Sequence, residues 1–80
     1  MMEKVYNVNF LRFEKDLLII SIDNQIYSFK LKDISKKLAK ASVKEKQSFR
    51  ILPSGYGIHW DLIDEDLSLN GILMKHNSSA

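Results

Sequence analysis

Residues 17–31 read "LLIISIDNQIYSFKL", and the way this stretch folds decides the rest. Two runs rich in β-branched and aromatic residues flank the pair Asp23-Asn24. Such runs favour strands. A two-residue join favours a primed turn with positive φ, which Asp and Asn tolerate better than most non-glycine residues. The stretch therefore reads as a hairpin with Ile20 opposite Tyr27 and Leu18 opposite Phe29.

Toward the N-terminus, "VYNVNFLRF" (5–13) reads as a third strand, joined through "EKD" (14–16). A three-residue turn there places Phe10 opposite Ile20 and Val8 opposite Ile22. One face of the resulting meander carries Val8, Phe10, Leu18, Ile20, Ile22, Tyr27 and Phe29, and is the expected core face. The other carries Leu11, Phe13, Leu17, Ile19 and Ile26, diluted by Asn9, Ser21, Ser28 and Lys30. A face bound for water is expected to be more polar than this. Contiguous apolar area of this kind marks an interface, so a homodimer through Leu11, Phe13, Leu17, Ile19 and Ile26 is expected. The alternative cover is the C-terminal segment, with Leu67, Leu69, Ile72 and Leu73 folding back over the same face. A one-residue slip of register would exchange the two faces.

Toward the C-terminus, "KDISKKLAKAS" (32–42) reads as a helix with Asp33 as N-cap and Ile34, Leu38 and Ala41 on one stripe. Ser42 and Glu45 have the spacing of a capping box for a further turn, "VKEKQS". "FRIL" (49–52) and "YGIHW" (56–60) read as short strands around the turn "PSG" (53–55). Ser68 is placed to cap a last helical segment, "LNGILMKH", which Gly71 weakens. The tail from about residue 77 is expected to be loose. The expected fold is thus α+β over one domain, residues 1–80. A small antiparallel sheet, the three-stranded N-terminal meander plus short later strands, has helices packed on one face. Leu38, Ile58 and Trp60 join its core.

Composition narrows the function classes. The 80 residues are 45% hydrophobic and 28% charged, with no Cys and a net charge of +2. Disulfides, thiolate metal sites and Cys nucleophiles are excluded. The opening "MMEKVYNVNF" has no apolar h-region, and no stretch approaches the roughly 18 apolar residues of a membrane span. A cytoplasmic location without membrane attachment is expected. The charge is unevenly placed. Lys30, Lys32, Lys36, Lys37, Lys40, Lys44, Lys46 and Arg50 face only Asp33 and Glu45 in their segment, whereas Asp61, Asp64, Glu65 and Asp66 stand together.

The stretch "GYGIHWDLIDEDLSLNGIL" (55–73) holds the residues that invite chemistry. His59 beside Asp64 and Asp66 has the side-chain types of a metal or acid–base site. One His is thin for zinc, which takes three or four ligands, and "DEDLS" lacks the alternation and bend glycine of a calcium loop. The acids precede Ser68, where a helix N-terminus favours negative charge by some tenths to about 1 kcal/mol. A docking surface for a basic partner, made by His59, Asp61, Asp64, Glu65 and Asp66, is the competing reading. Lys36, Lys37, Lys40 and Lys44 form a candidate nucleic-acid contact, although no aromatic residue is interleaved among them and no phosphate loop accompanies them.

The order of elements and the tail motif resemble the bacterial domain-of-unknown-function family 2442. Its pattern, "G-x-G-I-H-W-x-x-(I/L)-D-E-D-(I/L)-S-x-x-G-(I/L)-L", is matched by Gly55, Gly57, Ile58, His59, Trp60, Asp64, Glu65, Asp66, Ser68, Gly71, Ile72 and Leu73. Asp61 stands where a Pro often follows the Trp, and Asn24 where a Gly commonly completes the hairpin turn. The resemblance implies a small α+β domain without an assigned activity. It also implies a gene often found beside a second small family, in the manner of a toxin–antitoxin pair. The expected function is a protein–protein interaction or regulatory module, the neutralising member of such a pair, partnered by the product of a neighbouring gene. The alternative is a nucleic-acid-binding accessory protein. No catalytic residue, metal or cofactor is expected.

Overall fold

The structure, a computed structural model, describes residues 5–78. Strands β1 (Val8–Glu14), β2 (Leu17–Ile22) and β3 (Gln25–Lys30) form one antiparallel sheet in that order. Short helices α1 (Leu31–Ile34), α2 (Lys36–Lys40) and α3 (Val43–Gln47) follow. A second antiparallel sheet holds β4 (Phe49–Ile51), β5 (Gly57–Trp60) and β6 (Glu65–Ser68), and α4 (Leu69–Ser78) ends the described chain. The architecture is α+β, built on an N-terminal three-stranded meander.

The β2–β3 hairpin has the expected register. Ile20 pairs with Tyr27 and Leu18 with Phe29, and Asp23 and Asn24 adopt φ of 50° and 67°. The β1 register differs. The β1–β2 turn uses two residues, so that Glu14 pairs with Leu17, and Lys15 takes φ of 56°. Leu11, not Phe10, lies opposite Ile20, and Phe13 lies opposite Leu18. A β-bulge between Val8 and Phe10 absorbs the one-residue offset, which is why Val8 keeps its expected partner Ile22. Asn9 holds the bulge. Its Oδ1 accepts from Ser21 Oγ at 3.0 Å and from the Asn24 backbone N–H at 2.8 Å. Because strand side chains alternate faces, this slip moves Leu11 and Phe13 inward and sends Phe10 outward.

The helical segment is also divided. Ser35 is extended, with φ −163° and ψ 115°, and separates α1 from α2. Ser35, not Asp33, is the cap: its Oγ accepts from the Leu38 N–H at 3.1 Å. The α3 capping box forms as expected, with Glu45 N–H donating to Ser42 Oγ and Ser42 N–H donating to Glu45 Oε1. At the start of α4, Ser68 Oγ accepts from the Gly71 N–H at 3.2 Å. The expected loose tail from about residue 77 meets a helix that continues to Ser78, and residues 79–80 lie outside the described residues.

The core lies between the two sheets and the helices. Leu18, Ile20, Ile22 and Phe29 supply it from the first sheet, and Leu31 and Leu38 from α1 and α2. Ile58, Trp60 and Leu67 come from the second sheet, Leu69 and Ile72 from α4, and Tyr6 from the N-terminal segment. Leu11, Phe13 and Tyr27 are partly buried against it, whereas Phe10, expected inside, is 39% exposed. The apolar residues of the C-terminal segment thus fill the interior rather than the outer face of the meander. Trp60 is fully buried. Its ring meets Phe13 and Phe49 with centroids 6.4 Å away, tilted or edge-on, and its Nε1–H donates to the Lys46 carbonyl at 2.9 Å.

Two glycines close the joint between β4 and β5. Gly55 has φ of 62°, and a Cβ there would lie 1.9 Å from the Tyr6 carbonyl oxygen. A Cβ on Gly57 would lie 2.7 Å from the Leu67 carbonyl. Only glycine permits such backbone contact. Among the described residues no helix is long and apolar enough to cross a membrane.

The corrected register has a measurable consequence. Ile20→Ala is expected to cost about 2–5 kcal/mol, as large-to-small changes in a packed core do. Phe10→Ala in dilute protein is expected to stay within about 1 kcal/mol, as a substitution outside the core. Urea denaturation of both variants checks this, and the reverse ranking would restore the three-residue turn.

Candidate functional site

β5 is the middle strand of the second sheet, and its alternation fixes what each side shows. Ile58 and Trp60 point inward and are fully buried, so His59 points outward. Directly opposite His59 lie Arg50 on β4 and Asp66 on β6. Side chains so paired stand close enough to touch, and a row Arg50–His59–Asp66 crosses the sheet.

Asp61 follows Trp60 at the end of β5 and completes the cluster. His59 Nε2 lies 2.8 Å from Asp61 Oδ1, and His59 Nδ1 lies 2.5 Å from Asp66 Oδ1. Arg50 grips Asp61 with two bonds, from Nε to Oδ2 and from Nη2 to Oδ1, each 3.2 Å. The imidazole is 19% exposed, whereas the carboxylates of Asp61 and Asp66 are 59% and 68% exposed.

The chemistry of the ring follows from its neighbours. Ionised carboxylates only accept hydrogen bonds, so a ring flanked by two of them is favoured in its protonated form. The hydrogen bond to Asp66 raises the His59 pKa above 6.5; desolvation opposes this, and the negative charges of Asp66 and Asp61 act against that of Arg50. Asp61 is lowered below 3.8, first by its hydrogen bond to Arg50 and further by the charges of Arg50 and His59, against desolvation.

The remaining acids do other work. Asp64 sits in the β5–β6 turn with φ of 51°, and its carbonyl accepts from Lys37 Nζ at 3.1 Å. Glu65 pairs with the inward-facing Trp60. Its Oε2 accepts from Ser35 Oγ at 2.5 Å, and its Oε1 accepts from the Asp66 N–H. Glu65 therefore ties β6 to the cap of α2 and is not part of the outward row. The expected acidic run ahead of a helix is instead the second strand of a hairpin. Of the five residues read together from sequence, His59, Asp61 and Asp66 converge, and Asp64 and Glu65 do not. Arg50 was not among the five. Its alternation with Phe49 and Ile51, which pair with the inward-facing Trp60 and Ile58, is the signal, legible only once the β4–β5 register is known.

The two carboxylates approach opposite nitrogens of one ring, and among the described residues no group of three or more His, Asp or Glu side chains is arranged to hold a metal ion. Lys36, Lys37, Lys40 and Lys44 are exposed along α2 and α3. A hollow of about 200 Å³ lined by Phe13, Lys15, Val43, Lys46 and Gln47 shares no residue with the row.

A raised folded-state pKa stabilises the fold fully below the unfolded value, and the gain disappears as pH rises through the folded value. The His59 contribution is thus present below pH 6.5 and lost above it, while that of Asp61 is present above pH 3.8 and lost on acidification. Titration of the His59 ring followed by NMR is expected to give a midpoint above 6.5, and Asp66→Asn is expected to lower it. A wild-type midpoint at or below 6.5 would show that the two carboxylates do not hold the ring in solution.

No curated protein matches the chain. A solved crystal structure of a protein of unknown function from Rhodospirillum rubrum is similar, with a TM-score of 0.73 and 27% identity, covering 90% of this chain and 89% of that one. A family model described as "Protein of unknown function (DUF2442)" matches residues 8–78, which span both sheets and all four helices, and the chain belongs to that family.

Proposed function

We propose that the protein is a non-catalytic protein–protein interaction module of the cytoplasm. In this reading it is the regulatory or neutralising member of a two-gene pair of the toxin–antitoxin kind, and it binds a cationic segment of the neighbouring gene's product. The observation that carries the reading is the strand-mounted row Arg50–His59–Asp66 with Asp61. The sheet beneath it is anchored by buried Ile58 and Trp60, so the exposed carboxylates are held in fixed positions, as recognition groups need to be. Asp64, in the turn before β6, adds a further exposed acid. Both His59 nitrogens face carboxylates. A ring so engaged has no free lone pair to act as general base, which supports binding over catalysis.

A second reading, nucleic-acid binding, draws on the exposure of Lys36, Lys37, Lys40 and Lys44. Such contacts are dominated by phosphate charge and weaken steeply with salt. The acids of the β5–β6 hairpin oppose them, so binding is expected to be weak and unselective.

The two readings separate in one experiment. The immobilised chain is exposed to lysate of the source cells at mild salt. A protein retained by the wild type and lost with Asp64→Lys/Asp66→Lys is the expected result. Retention indifferent to that variant overturns the proposal. Recovery of nucleic acid, abolished by Lys36→Glu/Lys40→Glu, promotes the second reading.

A further inference from the structure

The outer face of the meander is a grid of three rows. Phe10, Ser21 and Ile26 form one row across the strands, Arg12, Ile19 and Ser28 the next, and Glu14, Leu17 and Lys30 the third. Among the described residues this face is open at Phe10 and Ile26, while Leu17 and Ile19 between the outer strands are half-buried and Ser21 is buried. Ile26 is 67% exposed and Phe10 39%, and the apolar residues of α4, Leu69 and Ile72, are spent in the core on the other side. Arg12 bonds Glu14 at 2.8 Å, and its guanidinium lies 5.5 Å from the Phe10 ring.

We propose that this face is covered by a second copy of the chain, related by a two-fold axis running along β2. The charge pattern selects that axis. A two-fold along β2 exchanges the flanking strands within each row, so every β1 residue meets the β3 residue of its own row in the second copy. Phe10 then meets Ile26, Arg12 meets Ser28 and Glu14 meets Lys30. Leu17 and Ile19, on the axis, meet their own counterparts. Apolar faces apolar and acid faces base, twice over, as a self-complementary contact requires. The other axis in the plane, across the strands, would set Phe10 against Glu14 and Ile26 against Lys30. It wastes both kinds of complementarity.

Packed sheets align with their strands about 30° apart because each is twisted, and the long side chains of Glu14 and Lys30 span the offset this introduces at the corners. Three strands spaced about 4.8 Å apart present less area than the roughly 800 Å² per partner of a standard interface. The dimer is accordingly a dissociating one, with its midpoint in the micromolar range. This contact uses a different sheet from the row around His59 and does not depend on the function proposed for that row.

Sedimentation of the full chain across roughly the micromolar to millimolar range tests it. The wild type is expected to pass from monomer to dimer, and Ile19→Lys to remain monomeric. Glu14→Lys alone and Lys30→Glu alone each set like charges together at both corners of the third row and are expected to weaken dimerisation about tenfold. Glu14→Lys/Lys30→Glu together restore opposite charges across the axis and are expected to recover most of it. Circular dichroism confirms folding of each variant, and the exposed Ile26→Lys replaces Ile19→Lys should that variant unfold. A wild type that stays monomeric throughout overturns the proposal. So does a dimer indifferent to substitutions at positions 19 and 26, or a charge-reversed pair that fails to recover.

Discussion

A tryptophan indole excluded from water must find a partner for its N–H, and at Trp60 that requirement organises the molecule. The ring is fully buried, and its N–H donates to the Lys46 carbonyl at the end of α3. Phe13 of the first sheet and Phe49 of the second lean on the same ring. One side chain therefore fixes three parts of the fold relative to one another: the meander, α3 and the second sheet. Leaving a buried donor unpaired costs about 1–3 kcal/mol, a large fraction of the stability that a chain of this length can assemble. With Trp60 held inward, the two-residue period of β5 leaves His59 no choice but to face out. The cluster on the outer face is a consequence of the packing beneath it.

A second tie runs between parts of the chain thirty residues apart. Ser35 accepts from the backbone at the start of α2 and donates to Glu65, whose other oxygen accepts from the chain at Asp66. This relay explains why a polar residue interrupts an otherwise helical segment in the interior, where Ser35 is only 6% exposed. It also explains why an acid occupies an inward position of β6. The uneven charge of the sequence finds a use here too. Lys37 donates to the Asp64 carbonyl, and Lys75 to the Asp33 carbonyl, so these cations tie loops and helices together through backbone oxygens.

How much of this was legible beforehand differs by element, for physical reasons. The β2–β3 hairpin was legible because a two-residue turn of Asp and Asn leaves one register, and the α3 cap because both its partners lie within four residues. β1 was misread beyond its bulge because the side chain that stabilises the bulge, Asn9, finds its partners on β2 and in the next turn, and no local pattern announces that. The break at Ser35 likewise depends on Glu65, distant in sequence. Residues 64–66 looked like acids ahead of a helix because Ser68 does cap one, but the strand β6 intervenes, and strand pairing overrides a weak local preference. For the site, His59 with Asp61 and Asp66 was visible as composition. Arg50 became visible only with cross-strand register, since pairing across a sheet is what brings it to Asp61.

The bulge at Asn9 reaches beyond register. Two small open sheets expose several edge strands, and each edge is a row of unsatisfied backbone groups on which another chain can grow without limit. Here the second sheet's edges are short, three residues in β4 and four in β6. β3 gives way to α1 directly after Lys30. β1, seven residues long, is the edge most exposed to this hazard, and it is the one that carries the bulge. A strand with a residue out of step cannot offer a straight ladder to an incoming strand, and the local twist turns its groups aside. The asparagine that shifts one strand by one residue thereby makes the start of that edge a poorer template for strand addition.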